Sequence, residues 1–383
     1  MKRRTFGSIR LLPSGRWQAR YRDGEGAMRS AEDTFATKAD ADQWLATTQH
    51  ELRSGKWVDP DLGDISVAEW SIAWLRMQMH LKPKSRYGYE SLLRSRLLPE
   101  LGDLPVRHLR TSHIQSMVAT FQLEGLSASR TRQAVALLSQ ILDAAIADGL
   151  IRSNPCRAVR QPRLPEREMR AFTAPEVDRI ADAITPAYRS LVHVLAYGGL
   201  RWGEAAGLAR ASVDVDARRL RIARSIAEVG GELFIGTTKT HQQRGVVLPT
   251  FLWADLAAHL ERSVENEPDA ILFPAAAGGF LRYSNFIGRH WQPALSKAGL
   301  EPCGLHVLRH TCASLLAAAG APVKAIQVQL GHASAEMTLN RYSHLYPDDL
   351  DELATHLDAI RRRADLSRRL GEPRGSRGDG RGR

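Results

Sequence analysis

Apolar and polar residues alternate along Arg16-Trp17-Gln18-Ala19-Arg20-Tyr21-Arg22, which predicts a strand with Trp17, Ala19 and Tyr21 on one face and Arg16, Gln18, Arg20 and Arg22 on the other. Pro13-Ser14-Gly15 before it and Asp23-Gly24-Glu25-Gly26 after it are turn signals. A third strand is expected from about Met28 to Phe35. Thr37 to Asp40 then reads as a capping box opening a helix through about Leu52. Residues 1–60 therefore predict a small three-stranded sheet plus one helix. The period changes to helical from residue 65. Ser66 to Glu69 is a second capping box, followed by Trp70, Ala73, Trp74 and Met77 on one stripe. Further helices are expected over about Lys84–Leu97, Thr111–Leu123 and Ser127–Asp148, so residues 65–160 predict an all-α domain. Asn154-Pro155 and the proline-bearing stretch 161–166 read as a linker. Thr173 to Glu176 is a third capping box. It opens a mainly-α (α+β) region, 168–352, with strands near Arg219–Ala223 and Gly245–Leu248. Leu353, Leu357 and Ile360 are spaced for a helix, and residues 353–383 end in a basic, Gly- and Arg-rich tail expected to be flexible.

The length of 383 residues supports several domains, and 43% hydrophobic with 25% charged residues excludes a disordered or low-complexity chain. The net charge of +11 points to a polyanionic partner. Its distribution says more. Residues 1–64, 65–165, 166–360 and 361–383 carry +1, +7, −3 and +6, so contact with a polyanion is expected to be concentrated in the second block and the tail, unless the third block gathers a few cations into one site. Lys82, Lys84, Ser85 and Arg86 cluster at one helix start, and Arg130 and Arg132 beside Ser127 and Ser129 at another; both suit phosphate. Cys156, Cys303 and Cys312 are too few and too scattered for a disulfide framework, and no apolar run of about 18 residues occurs. A soluble protein of a reducing compartment, the cytoplasm, is expected, with no membrane contact.

The candidate chemistry lies in the third block. Arg201 follows a Gly pair, and Glu204 three residues on shares its helical face. Thr237-Thr238-Lys239-Thr240 is expected in a hairpin between strands. In His306-Val307-Leu308-Arg309-His310, His306 and Arg309 face the same way. The His306/His310 spacing raises zinc, but the hydrolytic zinc motif needs Glu where Val307 stands, and no paired Cys spacing supports a structural site. Leu330-Gly331-His332 and Arg341-Tyr342-Ser343-His344 complete the set.

Taken in order, Gly-Leu-Arg201-Trp-Gly-Glu204, Thr-Lys239-Thr, His306-Val-Leu-Arg309-His-Thr, Leu-Gly-His332 and Arg-Tyr342-Ser-His resemble the tyrosine recombinase (phage integrase) family. The resemblance implies an arm-type DNA-binding domain over 1–60, a core-binding domain over 65–160 and a catalytic domain over 168–352. It implies a site-specific recombinase that integrates and excises a mobile element such as a phage, acting on core-type and arm-type sites in double-stranded DNA. Val307 departs from the Asp common in the family, at a position with no expected chemical role. The family resemblance also implies a homotetramer passing through a Holliday junction, with a host DNA-bending protein and an excision factor as further partners.

Physical chemistry supports the same roles. Phosphodiester cleavage develops negative charge on the non-bridging oxygens, which Arg201 and Arg309 can clamp while His332 donates a hydrogen bond. Tyr342 is the nucleophile, His306 the acceptor of its proton and Lys239 the acid for the leaving 5′ oxygen. Glu204 supports Arg201. Tyr346 is the rival nucleophile, but it abuts Pro347. Neither metal nor other cofactor nor ATP is expected, because the protein supplies the cations and the phosphotyrosine ester keeps the bond energy. A resolvase is the alternative enzyme; the front domain argues against it. A non-catalytic DNA-binding regulator would have lost a catalytic residue, and all six are present.

Overall fold

Local capping starts the helices where the sequence marks them. Ser66 and Glu69 bond reciprocally at the start of α2, as do Thr37 and Asp40 before α1. These are α1 (Lys38–Arg53) and α2 (Val67–Met77). The structure is a computed structural model describing residues 6–54, 57, 62–165, 170–237, 243–334, 336, 339 and 357–363. Two compact units divide the chain, residues 1–166 and 167–383.

In the first unit, β1 (Ser8–Leu11), β2 (Trp17–Arg22) and β3 (Met28–Ser30) form an antiparallel sheet in that order, with Ile9 opposite Ala19 and Tyr21 opposite Arg29. Ala19, Tyr21 and Ala31 meet Ala41 and Leu45 of α1 in its core. The alternation in β2 is realised, with Ala19 and Tyr21 buried and Arg16 and Arg22 exposed. The third strand is shorter than expected. Consecutive carboxylates Glu32 and Asp33 interrupt its apolar alternation, and the chain returns only as a single bridge from Phe35 to Trp17.

The helical part adds α3 (Pro83–Leu92), α4 (Leu98–Leu101), α5 (Thr111–Leu123) and α6 (Ala128–Ala147). The helix expected over Lys84–Leu97 starts at Pro83 and passes through a π-type turn, Leu93–Leu97, into α4. Pro99 has no N–H for the carbonyl of Ser95, which favours the wider turn. Phe121, Leu138, Ile141 and Leu142 are each at most 1% exposed in this core, where the Trp70 indole donates to the Ile141 carbonyl at 3.0 Å. Asn154 ends the unit as a buried staple, donating to the Ser139 carbonyl and Asp143 while accepting from Cys156 N–H. Residues 1–60 and 65–160 share this unit. Arg107 reaches Glu32 at 2.8 Å and Asp64 at 2.6 Å, and Arg152 forks onto Glu51 at 2.7 and 2.8 Å.

The second unit contains α7 (Ala174–Ala183), α8 (Arg189–Gly198), α9 (Trp202–Ala206), β4 (Val213–Asp214), β5 (Arg219–Ile222), β6 (Arg224–Val229), β7 (Glu232–Thr237) and β8 (Arg244–Val247). Then come α10 (Phe251–Ser263), α11 (Tyr283–Phe286), α12 (Gln292–Lys297), α13 (His306–Ala318) and α14 (Val323–Leu330). The two expected strands pair with each other: β8 lies beside β5, with buried Leu220 opposite buried Val246. A further hairpin, beyond those expected, joins β6 to β7. Gly230 and Gly231, at φ 57° and 85°, make the turn between β6 and β7, because both central positions of a tight hairpin turn favour positive φ. Among the described residues β7 pairs only with β6 and β8 only with β5, so the segment containing Lys239 joins two sheets. Lys239 itself lies outside the described residues.

Candidate active site

A turn between two helices organises the site. Gly199 ends α8 in the left-handed region at φ 65°, and Arg201, two residues later, caps α9. Only a glycine fits at 199. A Cβ there would stand 2.4 Å from Leu330 Cδ2 and 2.9 Å from Cys312 Sγ. This close approach lets the Gly199 carbonyl accept from Arg309 Nη1 of α13 at 2.6 Å. Arg309 is 2% exposed, so its position is set by the core around it. From the other side, Arg201 Nη2 donates at 3.3 Å to the carbonyl of Gly331, the left-handed residue that ends α14. His332 follows, buried, with its backbone N–H donating to the Gln327 carbonyl. Arg201, Arg309 and His332 are thus tied to one turn by backbone carbonyls.

Glu204 is the electrostatic centre of this cluster. Its carboxylate is 1% exposed. It accepts from Arg201 N–H and Nη1, both at 2.9 Å, and from Arg244 Nη1 and Nη2 at 3.0 and 2.8 Å. Burial pushes its pKa up, but the Arg244 hydrogen bonds and charge, joined by Arg201, outweigh it and hold the value at about 2. The carboxylate is therefore an anion between two guanidiniums, and Arg201 keeps a partly open face. Arg244 carries no local mark of a functional role in the sequence. Its signal was a lone arginine opening an apolar strand, Arg-Gly-Val-Val-Leu, where solvent exposure is the simpler expectation.

His306 starts α13 on the exposed side, with its ring 4.7 Å from that of His310 at a steep angle. Among the described residues no group of three His, Cys, Asp or Glu is placed to hold a metal ion. Cys312 donates to the Tyr197 carbonyl, and burial pushes its thiol up to about 12, so it is inert at neutral pH. Tyr342 and Tyr346 lie outside the described residues, as does Leu353.

The side chains expected to grip DNA are spread over the first unit. In β2, Gln18 accepts from Arg10 at 2.7 Å, Arg16 bonds Thr34, and Arg22 donates to the Gly26 carbonyl, while Arg20 sits half-buried between them. Lys82 caps α3, with Lys84 and Ser85 exposed on its first turn. Arg86 is turned inward, donating to the Leu75 and Gln78 carbonyls at 3.2 and 2.9 Å, which fixes α3 against the end of α2. Arg130 reaches Gln133, and Arg132 reaches the Pro162 carbonyl, both at 3.4 Å.

Comparison with known proteins covers nearly the whole chain. Residues 170–348 match the phage integrase family, 5–57 its N-terminal domain and 66–162 its central domain. The integrase of Mycobacterium phage D29 is 30% identical over 351 residues, spanning 88% of this chain and 92% of that protein. That of Mycobacterium phage L5 is 30% identical over 352 residues, spanning 88% and 94%. Among solved structures, the Tn1549 transposon integrase in complex with a circular intermediate DNA aligns with a TM-score of 0.68 at 20% identity, over 77% of this chain and 99% of the other. A lambda integrase tetramer bound to a Holliday junction aligns at 0.55 and 20% identity, over 91% and 97%.

Proposed function

The chain belongs to the phage integrase family of tyrosine recombinases, and on that premise we propose how its residues cleave and rejoin DNA in integrating and excising a mobile element. Arg201 and Arg309 bind the non-bridging oxygens of the scissile phosphate and neutralise the charge that grows there. His332 donates a third hydrogen bond. Tyr342 Oη attacks phosphorus and passes its proton to His306. The bond to the 5′ oxygen breaks, and Lys239 protonates the departing alkoxide. The product is a 3′-phosphotyrosine ester and a free 5′ hydroxyl. A 5′ hydroxyl from the partner strand reverses these steps, so two strand exchanges need neither ATP nor a metal ion.

The observation that carries this reading is the convergence on the Gly199–Arg201 turn: Arg309 arrives through the Gly199 carbonyl and the Gly331–His332 segment through Arg201. The substrate is double-stranded DNA, held at core-type sites by the helical part with Lys82, Lys84, Ser85, Arg130 and Arg132. Arm-type sites are held by the small sheet through Arg16, Gln18, Arg20 and Arg22. The working assembly is a tetramer on DNA, as in the lambda integrase complex. A groove of about 900 Å³ lined by Val247, Leu248, Leu315, Leu316 and Val328 is suited to the exposed Leu357 and Ile360 of a neighbouring protomer. A host bending protein and an excision factor would set direction. Among the described residues no helix is long and apolar enough to cross a membrane, and the proposed place of action is the bacterial cytoplasm.

The test is a nicked duplex carrying the core site, incubated with the full chain and resolved on a denaturing gel. A covalent adduct is expected with wild type and with Tyr346→Phe, and none with Tyr342→Phe. An adduct that persists in Tyr342→Phe removes that tyrosine from the mechanism.

A further inference from the structure

Arg244 lies outside the segments that carry the family resemblance, yet it touches three parts of the site. Its fork occupies both oxygens of Glu204, the carboxylate that also holds Arg201 by main chain and side chain. Its Nε donates at 3.4 Å to the Gln329 carbonyl, two residues before Gly331. Its side chain passes close to Gly331, where a Cβ would stand 2.9 Å from Cδ and Nε and 3.0 Å from Cζ. The strand that carries it is anchored to the same helix end. Gln329 Nε2 donates to the Val247 carbonyl at 2.7 Å, and Val247 N–H donates back to Gln329 Oε1 at 3.1 Å. The Arg244 side chain is 10% exposed, whereas that of Arg201 is 26% exposed.

We propose that Arg244 is a positioning residue for catalysis: it locks Glu204 and the Gly331–His332 turn together, so that Arg201 and His332 meet the scissile phosphate in one fixed geometry. The inference rests on the reading that Arg201 clamps that phosphate. A carboxylate can take a guanidinium side-on only when both of its oxygens are aimed, and Arg244 supplies the second fork that aims them. Without it Glu204 keeps only its two bonds to Arg201 itself, so the pair has no outside anchor, and Arg201, bonded to the Gly331 carbonyl at 3.3 Å, loses its fixed direction. A shift of about 1 Å in a positioning contact is enough to slow a reaction about 100-fold. Arg244 also opens β8, so one residue ties that strand to the expected phosphate ligands.

Single-turnover cleavage of a nicked core-site duplex tests this, with binding of the same duplex measured in parallel. Arg244→Met is expected to slow cleavage about 100-fold and to change core-site affinity less than about 3-fold. Arg244→Lys keeps the cation without the fork and is expected to fall between, about 10-fold slow. A second substrate carries a methylphosphonate at the scissile position, which removes the charge that Arg201 neutralises. If Arg244 acts through Arg201, its loss on this substrate shrinks to under about 5-fold. An equal loss on both substrates, a fall in affinity as large as the fall in rate, or wild-type cleavage by Arg244→Lys overturns the proposal. Failure of the underlying reading is separately visible, because Arg201→Ala would then cleave the ordinary phosphate like wild type.

Discussion

Replacing Glu204 by Gln puts a neutral group of the same shape where the structure buries an anion between Arg201 and Arg244. The amide resembles the protonated acid, so its cost at neutral pH is close to the cost of protonating Glu204 in the folded chain. The carboxyl is held at about 2 against an ordinary value of 4.5, a difference of about 3 kcal/mol. Breaking a buried ion pair by removing one partner costs a similar ~3–5 kcal/mol. The sign follows from the depressed value in the folded state. The stabilisation is complete above about pH 5 and is lost as the pH falls through the folded value near 2. Urea unfolding of the full chain, followed by tryptophan fluorescence, should place Glu204→Gln about 3 kcal/mol below wild type at pH 7. The gap should narrow steadily towards pH 3, because below about pH 4.5 the unfolded wild-type chain takes up a proton at Glu204 that the folded chain, held at about 2, does not, whereas the variant binds none in either state. Other carboxylates with lowered values, including Asp23 and Asp143, titrate equally in both proteins and cancel in the difference. A gap below about 1 kcal/mol at pH 7, or one that stays constant with pH, would refute the reasoning.

Gly199→Ala should destabilise the second unit by about 2–4 kcal/mol, from left-handed strain plus the clash with Leu330 and Cys312, measured as a lowered unfolding transition. It should also slow adduct formation, since the 199 carbonyl holds Arg309. Asn154→Ala removes a buried amide that spans Ser139, Asp143 and Cys156, and should cost about 2 kcal/mol by urea midpoint without changing the site's chemistry. Deleting residues 1–60 should spare core-site cleavage and abolish integration between distant sites; unchanged integration on paired plasmids would remove the arm-binding role. Core-site affinity should fall steeply between 50 and 200 mM salt in a filter-binding titration, because each neutralised phosphate releases counterions.

The parts of this fold legible in the sequence are those closed by short-range interactions. Ser66 with Glu69, Thr37 with Asp40 and Thr173 with Glu176 each complete their hydrogen bonds within three residues, and a helix starts at each. The alternation of β2 was equally plain, since burial of Ala19 and Tyr21 follows from period two. The β6–β7 hairpin is signalled only by Gly230-Gly231, a glycine pair that without its flanking strands looks the same as any loop. Arg244 was illegible for a different reason. It meets Glu204 across 40 residues, and the Gly199 carbonyl meets Arg309 across 110, so nothing local distinguishes either from a solvated arginine or an ordinary helix end. The +7 of residues 65–165 likewise did not reveal that Arg86 is consumed by two carbonyls.

The Gln329 amide on Val247 also affects the chain's colloidal behaviour. In the order β4-β5-β8, strand β8 is the rim of its sheet among the described residues, and a rim presents unsatisfied N–H and C=O groups to which any passing strand can add. By occupying both backbone groups of Val247, a helix side chain imitates the missing neighbour and closes that rim. Copies of the chain at high concentration should thereby be kept from joining edge to edge, and Gln329→Ala should reveal this as concentration-dependent aggregation with little change in the folded monomer.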